Sequence, residues 1–395
     1  MKNILLFDTE TLHGDLQPLT LTRPVADLRF GILTLREKWE HLLPGRYSFL
    51  TGPLLSIKYP AHTEDCNFFI AGNICPDAGL AAAIDRLQAQ EAIECDGELI
   101  AGCGTLDDFR QGRFETVHAL SEKPLAIRSL CDIFRLNGEA LERDFRLLTA
   151  GRPSAPLPDS NRVVGDPCFP DGTPRIFIEA GAAVECAVLN VTQGPIYIGK
   201  EARIMENAVV RGPFAACEKA AVNVGSKIYG ATTLGPGCKV GGEVKNVVMQ
   251  AHSNKSHDGY LGNAVIGEWC NLGAGTNASN LKNDYSEIKL WHYPTRRFRR
   301  TGLQFCGPIM GDHTKTGINT MLNTATVLGV GVNLHGTGFP RNFVPSFNEG
   351  GAAGYTRVPL RKFFDIAERV MQRRGCTLSD ADRTLFEALY NDPEL

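Results

Sequence analysis

The chain has no long apolar run. Ile4 to Phe7 are the only apolar residues in sequence before Asp8, too few for the core of a secretory leader. Nothing approaches the roughly 20 residues that a membrane helix needs. Neither sign of charge prevails: 41 Lys and Arg face 44 Asp and Glu, a net charge of −3, which excludes a bulk pull towards nucleic acid or anionic lipid. The twelve cysteines include no Cys-x-x-Cys pair, so they are expected to serve as small hydrophobes in a reducing, cytoplasmic setting. A glycine-rich phosphate loop is also missing after the first apolar segment, since Asp8 to Arg23 holds one glycine and no Gly-x-Gly.

What the chain does have is a period of six. Met310, Thr316, Leu322, Leu328 and Leu334 lie six apart, with glycine following three of them, and Ile198, Ile204 and Val210 keep the same step. Leu234 and Val240 keep it too. Such a period predicts a parallel β-helix, with one aliphatic position per rung pointing into a narrow interior and small residues at the corners. Sandwich strands show turn signals every 8–12 residues instead. The period slips near 211–224 and 277–308, where extruded loops are expected.

Residues 1–155 read as an α/β domain. Ile4–Phe7, Ser48–Leu50 and Asn67–Ile70 are short buried strands, and Ile32, Leu35, Trp39 and Leu42 make a helical stripe. Further helix is expected over Ala81–Leu87 and from Leu130 to Leu148, with a break near Asn137-Gly138. A Pro-rich linker begins at Gly151. The β-helix is assigned to 165–350, and helices over 355–395 cap its last coil.

One histidine stands out from the repeat. His257 lies twelve residues after Lys245 in Glu243-Val-Lys245, and is followed by Tyr260-Leu-Gly, by Asn271-Leu-Gly-Ala274-Gly-Thr and by Asn280. This block resembles the acetyltransferase half of the GlmU-type bifunctional enzymes, which make UDP-N-acetylglucosamine from glucosamine-1-phosphate. Over nearly its full length the chain is most similar to the alternative GlmU-type proteins of the Bacteroidetes, on the blocks Pro18 to Gly31 and Thr301 to Lys315. The resemblance implies a left-handed hexapeptide-repeat β-helix acting as a homotrimer. It implies sugar-phosphate contacts at Lys245, Tyr260, Asn271 and Asn280, and acetyl-CoA contacts at Ala274 and Asp312. The family's phosphate-binding arginine finds no match, because Tyr229 or Lys227 falls at that place.

The chemistry asks for these groups independently. An amine that attacks a thioester must lose a proton, and His257 is the expected general base. Glu243 is expected to hold its tautomer. Backbone N–H groups at Gly273-Ala274-Gly275 suit a tetrahedral oxyanion. His252 and His257 lack the further ligands of a zinc site. The segment Trp291 to Arg300 sets four arginines around Phe298. It reads as an anion site for coenzyme A or substrate phosphate, or as a structural loop at a trimer interface, rather than as an RNA contact.

The N-terminal domain departs from ordinary sugar nucleotidyltransferases, which open on a glycine-rich loop. Arg23 and Arg29 are the expected replacements for its cations, and Asn73 stands where that family places a metal-binding aspartate. Nucleotidyl transfer with Mg²⁺, from a nucleotide triphosphate to a sugar phosphate, is the activity implied. The alternative is a nucleotide-sugar-binding or scaffold protein with a degenerate N-terminal domain.

Overall fold

The computed structural model describes residues 1–393. The N-terminal domain is built on a six-stranded sheet of β1 (Lys2–Phe7), β2 (Gly45–Leu50), β3 (Asn67–Ala71), β4 (Glu91–Cys95), β5 (Glu98–Gly104) and β6 (Thr116–Ala119), in the order β2-β1-β3-β5-β4-β6. β1 runs parallel to β2 and β3, and β5 is antiparallel to both of its neighbours. β1 and β3 read as unbroken apolar runs because both sheet faces are covered, so Leu5, Leu6, Phe69 and Ile70 are fully buried. The helix Leu35–Leu42 starts at a capping box of Thr34 and Glu37. The break expected near Asn137 falls at Leu136, between helices Leu130–Arg135 and Asn137–Thr149.

From Arg162 the chain winds into a parallel β-helix of triangular section. The first face carries 162–164, 188–190, 209–211, 227–229, 243–245 and 260–262. The second carries 176–178, 196–198, 214–216, 232–234, the ends of Glu243–Met249 and Tyr260–Ile266, then 309–310, 327–328 and 343–344. The third carries Ala183–Val184, Arg203–Ile204, Ala221–Val222, Lys239–Val240, Asn254–Lys255, Asn271–Leu272, Lys315–Thr316 and Asn333–Leu334. The six-residue period marks the inward side chains: Ile198, Ile204, Val210, Ala216, Val222, Ile228, Leu234 and Val240 form one core.

One of the two expected loops is absent. No loop is extruded at 211–224, where strands Phe214–Ala216 and Ala221–Val222 continue the coil. The period is unbroken there; Ala216 holds the inward place, and its small side chain leaves room that Phe214 fills. Within 277–308, Asn277–Ala278 still pairs with Met321–Leu322 of the coil, and the chain then leaves it as an antiparallel hairpin of Lys289–His292 with Arg297–Arg300. That hairpin docks on its own N-terminal domain through His292 Nε2, 2.6 Å from Asp15, and on the coil through Trp291, stacked on Phe343.

The second face is apolar on the outside as well. Val248, Val265, Ile309 and Val327 pair in register, point outward, and are completely buried. Leu16, Leu19, Leu28, Phe30, Ile133 and Phe134 of the N-terminal domain cover them. Two C-terminal helices, Leu360–Gln372 and Asp380–Asn391, close the arrangement. Phe363 and Phe386 meet the ring of His313 edge-on, and Lys58 of the N-terminal domain reaches Asp382 at 2.7 Å.

Candidate active site

The expected acetyl-transfer residues fall on two faces that meet at one corner. On the first face Glu243 pairs with Tyr260 and Lys245 with Gly262. Asn280 Nδ2 donates to the Tyr260 hydroxyl (2.9 Å) and to Asn263 Oδ1 (2.7 Å). This meeting requires glycine at 262, where a Cβ would lie 2.3 Å from the Tyr260 oxygen. Burial raises the Tyr260 pKa and Glu243 adds to the effect, while the Asn280 bond opposes it. Lys245 is exposed beside this group.

On the third face a groove of about 780 Å³ runs between the coils and the end of the helix Leu360–Gln372. His257, Asn271 and Ala274 line it. Its outward column reads Lys239, Asn254, Asn271, Lys315, each in register with the next. Arg373 and Arg374 face this column, and Arg374 Nη2 donates to Asn254 Oδ1 at 2.9 Å. The lining contains no carboxylate among the described residues. Burial pushes the Lys315 ammonium down to about 8, and its Nζ donates to the His313 carbonyl at 2.8 Å. The far wall is the stacked pair His252 and Trp269, ring centroids 4.2 Å apart. Burial lowers the His252 pKa against the pull of Glu268, and Arg374 lowers it further.

The corner itself is Ser256 to Gly259, and the His257 side chain is exposed there. No hydrogen bond joins it to Glu243 among the described residues. Its backbone carbonyl accepts instead from Lys255 Nζ at 2.8 Å. The Gly273-Ala274-Gly275 turn offers fewer donors than the sequence suggests. The Gly273 N–H donates to Thr316 and the Gly275 N–H to Asp258, at 3.0 and 3.1 Å. Among the described residues the Ala274 N–H is the one of the three without an acceptor.

Of the residues expected at a nucleotide, Arg23 and Arg29 are buried in the seam between the domains. Arg23 donates to Glu268 Oε1 at 2.6 Å and to Asp312. Asp312, expected at acetyl-CoA, also accepts from Thr22 Oγ1 (2.6 Å) and the Glu268 N–H (2.7 Å). Burial alone would raise the Asp312 pKa, but Arg23, the Thr22 hydroxyl and the Glu268 N–H outweigh it and hold the carboxyl below the usual range. Arg29 Nε donates to the Gln250 carbonyl at 3.1 Å, and its Nη1 to that of Ile32. Asn73 is 7% exposed. The carboxylate against the preceding Gly72, Asp8, has a buried side chain and accepts from the Val25 N–H at 3.1–3.2 Å. One carboxylate and one amide would supply Mg²⁺ with only part of its octahedral oxygen set, and substrate phosphates and water would have to complete it.

Sequence reasoning missed Lys239, Lys255, Lys315, Arg373 and Arg374. The three lysines lie at rung positions that read as ordinary strand, and the two arginines at a helix end far along the chain.

Residues 4–153 match the family of sugar nucleotidyl transferases. A bifunctional sugar-1-phosphate nucleotidylyltransferase/acetyltransferase of Sulfurisphaera tokodaii is 36% identical over 87 residues, 22% of this chain and 21% of that protein. The bifunctional protein GlmU of Synechococcus elongatus is 27% identical over 179 residues, 44% of this chain and 30% of its own length. The chain thus spans less than a third of these curated relatives. A solved UDP-N-acetylglucosamine acyltransferase of Francisella novicida overlaps 56% of this chain and 72% of its own at 10% identity, with a TM-score of 0.29, too low to establish a common fold. The family match and the relatives bear out the resemblance to GlmU-type bifunctional proteins.

Proposed function

We propose that the β-helix transfers an acetyl group from acetyl-CoA to the amino group of glucosamine-1-phosphate or a similar amino-sugar phosphate, a step towards UDP-N-acetylglucosamine. The observation that carries this reading is the carboxylate-free groove, with His257 at its rim and four cations, Lys239, Lys315, Arg373 and Arg374, along it. Such a groove suits the phosphates of coenzyme A. Asn271 and Ala274 lie on its floor, and Lys245, Tyr260 and Asn280 await the sugar phosphate around the corner. His257 takes the proton as the amine nitrogen attacks the thioester carbon. The oxyanion that forms accepts from the Ala274 N–H. Collapse then breaks the C–S bond, and the imidazolium returns its proton to the coenzyme A thiolate.

The two halves of this site lie on different faces of one prism, so one chain leaves it open on the outside. A homotrimer, in which a neighbouring coil supplies the missing wall, fits this geometry. All twelve thiols are free, which supports a reducing, cytoplasmic setting.

For the N-terminal domain the family match supports nucleotidyl transfer giving a UDP-sugar. The buried, protein-bound state of Arg23 and Arg29, with Asn73 buried as well, favours a second reading, a domain that binds nucleotide-sugars or acts as a scaffold. One assay pair tests both. Acetylated sugar phosphate from acetyl-CoA and glucosamine-1-phosphate, followed by mass spectrometry, is the expected product of the first. Failure with every amino-sugar phosphate tried overturns it. Pyrophosphate release from UTP and N-acetylglucosamine-1-phosphate, with and without Mg²⁺, decides the second.

A further inference from the structure

The corner that carries His257 is built differently from its neighbours. From Ala221 to Lys227 the chain takes six residues to pass from third face to first, and from Asn254 to Tyr260 it again takes six. Between them, from Lys239 to Glu243, it takes four, turning through Gly241-Gly242 alone. The intermediate coil is therefore cut short directly beneath His257. A full ladder of backbone bonds cannot form across such a notch, and buried carbonyls left without donors are costly.

Two side chains span the gap. Asn223, two coils below, donates from Nδ2 to the Ser256 carbonyl at 2.8 Å. Lys255 occupies an inward position of the third face, in register with Val240 and in the column that Leu272 continues. It is 1% exposed. Its Nζ donates to the carbonyls of Gly241 (3.1 Å) and His257 (2.8 Å), and makes no ion pair among the described residues. A lysine inside an aliphatic column is unfavourable for the column itself. Burial accordingly depresses its ammonium to about 8.

We propose that Lys255 is a positioning residue that acts through His257: its ammonium ties the His257 carbonyl to the shortened coil and so fixes the angle at which the imidazole leaves the corner. Asn223 is the second tie, on the preceding carbonyl. The inference rests on the reading of His257 as the general base.

The test is a double-mutant cycle on acetyl transfer with the full-length protein. Lys255→Met keeps the length of the side chain and removes the donor. It is expected to lower kcat by roughly 10- to 100-fold, the cost of about 1 Å of misplacement, with KM for acetyl-CoA unchanged. In a His257→Ala background the same change is expected to lower kcat no further. If His257→Ala alone has no effect, the general-base reading falls and this inference falls with it. If His257→Ala is slow but Lys255→Met leaves kcat unchanged, or slows the His257→Ala enzyme by a further 10-fold, positioning through His257 is overturned. Should Lys255→Met fail to fold, Asn223→Ala releases the neighbouring carbonyl from outside the core. It carries the same expected loss of kcat and the same lack of effect in the His257→Ala background, and additive behaviour there overturns the proposal equally.

Discussion

Arg23, in the loop after β1, and Asp312, at a β-helix corner 289 residues further along, form a charged hydrogen bond with side chains only 8% and 6% exposed. Thr22 and the Glu268 N–H complete the set around Asp312, so the carboxylate has no need of water. Removing one partner strands the other charge in the seam.

Arg23→Ala is therefore expected to destabilise the protein by about 3–5 kcal/mol, and Asp312→Ala by a similar amount. Urea unfolding of the three proteins checks it. A single variant as stable as the parent would mean that the pair is solvated in solution.

His257→Ala is expected to lower kcat for acetyl transfer by roughly 10²–10⁴, the usual span for a lost general base, with little change in KM. Lys245→Ala is expected chiefly to raise KM for the sugar phosphate. Near-normal turnover in His257→Ala removes the central assignment.

The double variant Arg373→Ala, Arg374→Ala is expected to raise KM for acetyl-CoA roughly 10-fold or more, as charged hydrogen bonds to phosphate are lost. The salt dependence of KM should become shallower in parallel. An unchanged KM across a salt series would put coenzyme A elsewhere.

Acid stability turns on His313. Burial first, then the charge of Lys315, depress its pKa to about 3, against the pull of Asp312 and Asp382. The folded protein therefore declines a proton that the unfolded chain accepts below about pH 6.5. Stability from this residue is lost as pH falls from about 6.5 towards 3, at a slope approaching ~1.4 kcal/mol per pH unit. His313→Asn, which tolerates the left-handed backbone there (φ 59), is expected to flatten that slope in chemical denaturation between pH 6.5 and 4.5. An identical slope in the variant refutes the account.

Analytical ultracentrifugation is expected to give a trimer at working concentration. A fully active monomer would show that one chain encloses the whole site.

Much of the β-helix is legible in the sequence because an inward rung position tolerates little but aliphatic side chains, and Met310 to Leu334 repeat it visibly. Ala216 hid the same register behind a small side chain. The notch at Gly241-Gly242 stayed hidden because a pair of glycines reads as an ordinary turn, and its meaning depends on the coils above and below. The outward column left a trace in the doublets Val247-Val248, Val265-Ile266, Ile309-Met310 and Val327-Leu328, where Lys239-Val240 shows the ordinary pattern of polar outside and apolar inside. On the first face Lys245, Tyr260 and Asn280 are singled out by the resemblance to the GlmU-type block, not by the repeat. Lys239, Lys315, Arg373 and Arg374 were not legible, since helix and coil come together only through tertiary packing.

The outward column also bears on how the protein comes apart. Val248, Val265, Ile309 and Val327 are each worth roughly 1.5–3 kcal/mol while the N-terminal domain covers them. The Pro-rich stretch after Gly151 looks like a place to cut, but neither half is finished on its own: expressed alone, the β-helix would carry a greasy stripe along one face. The chain should melt in a single calorimetric transition, and fragments split at that stretch should be insoluble unless produced together.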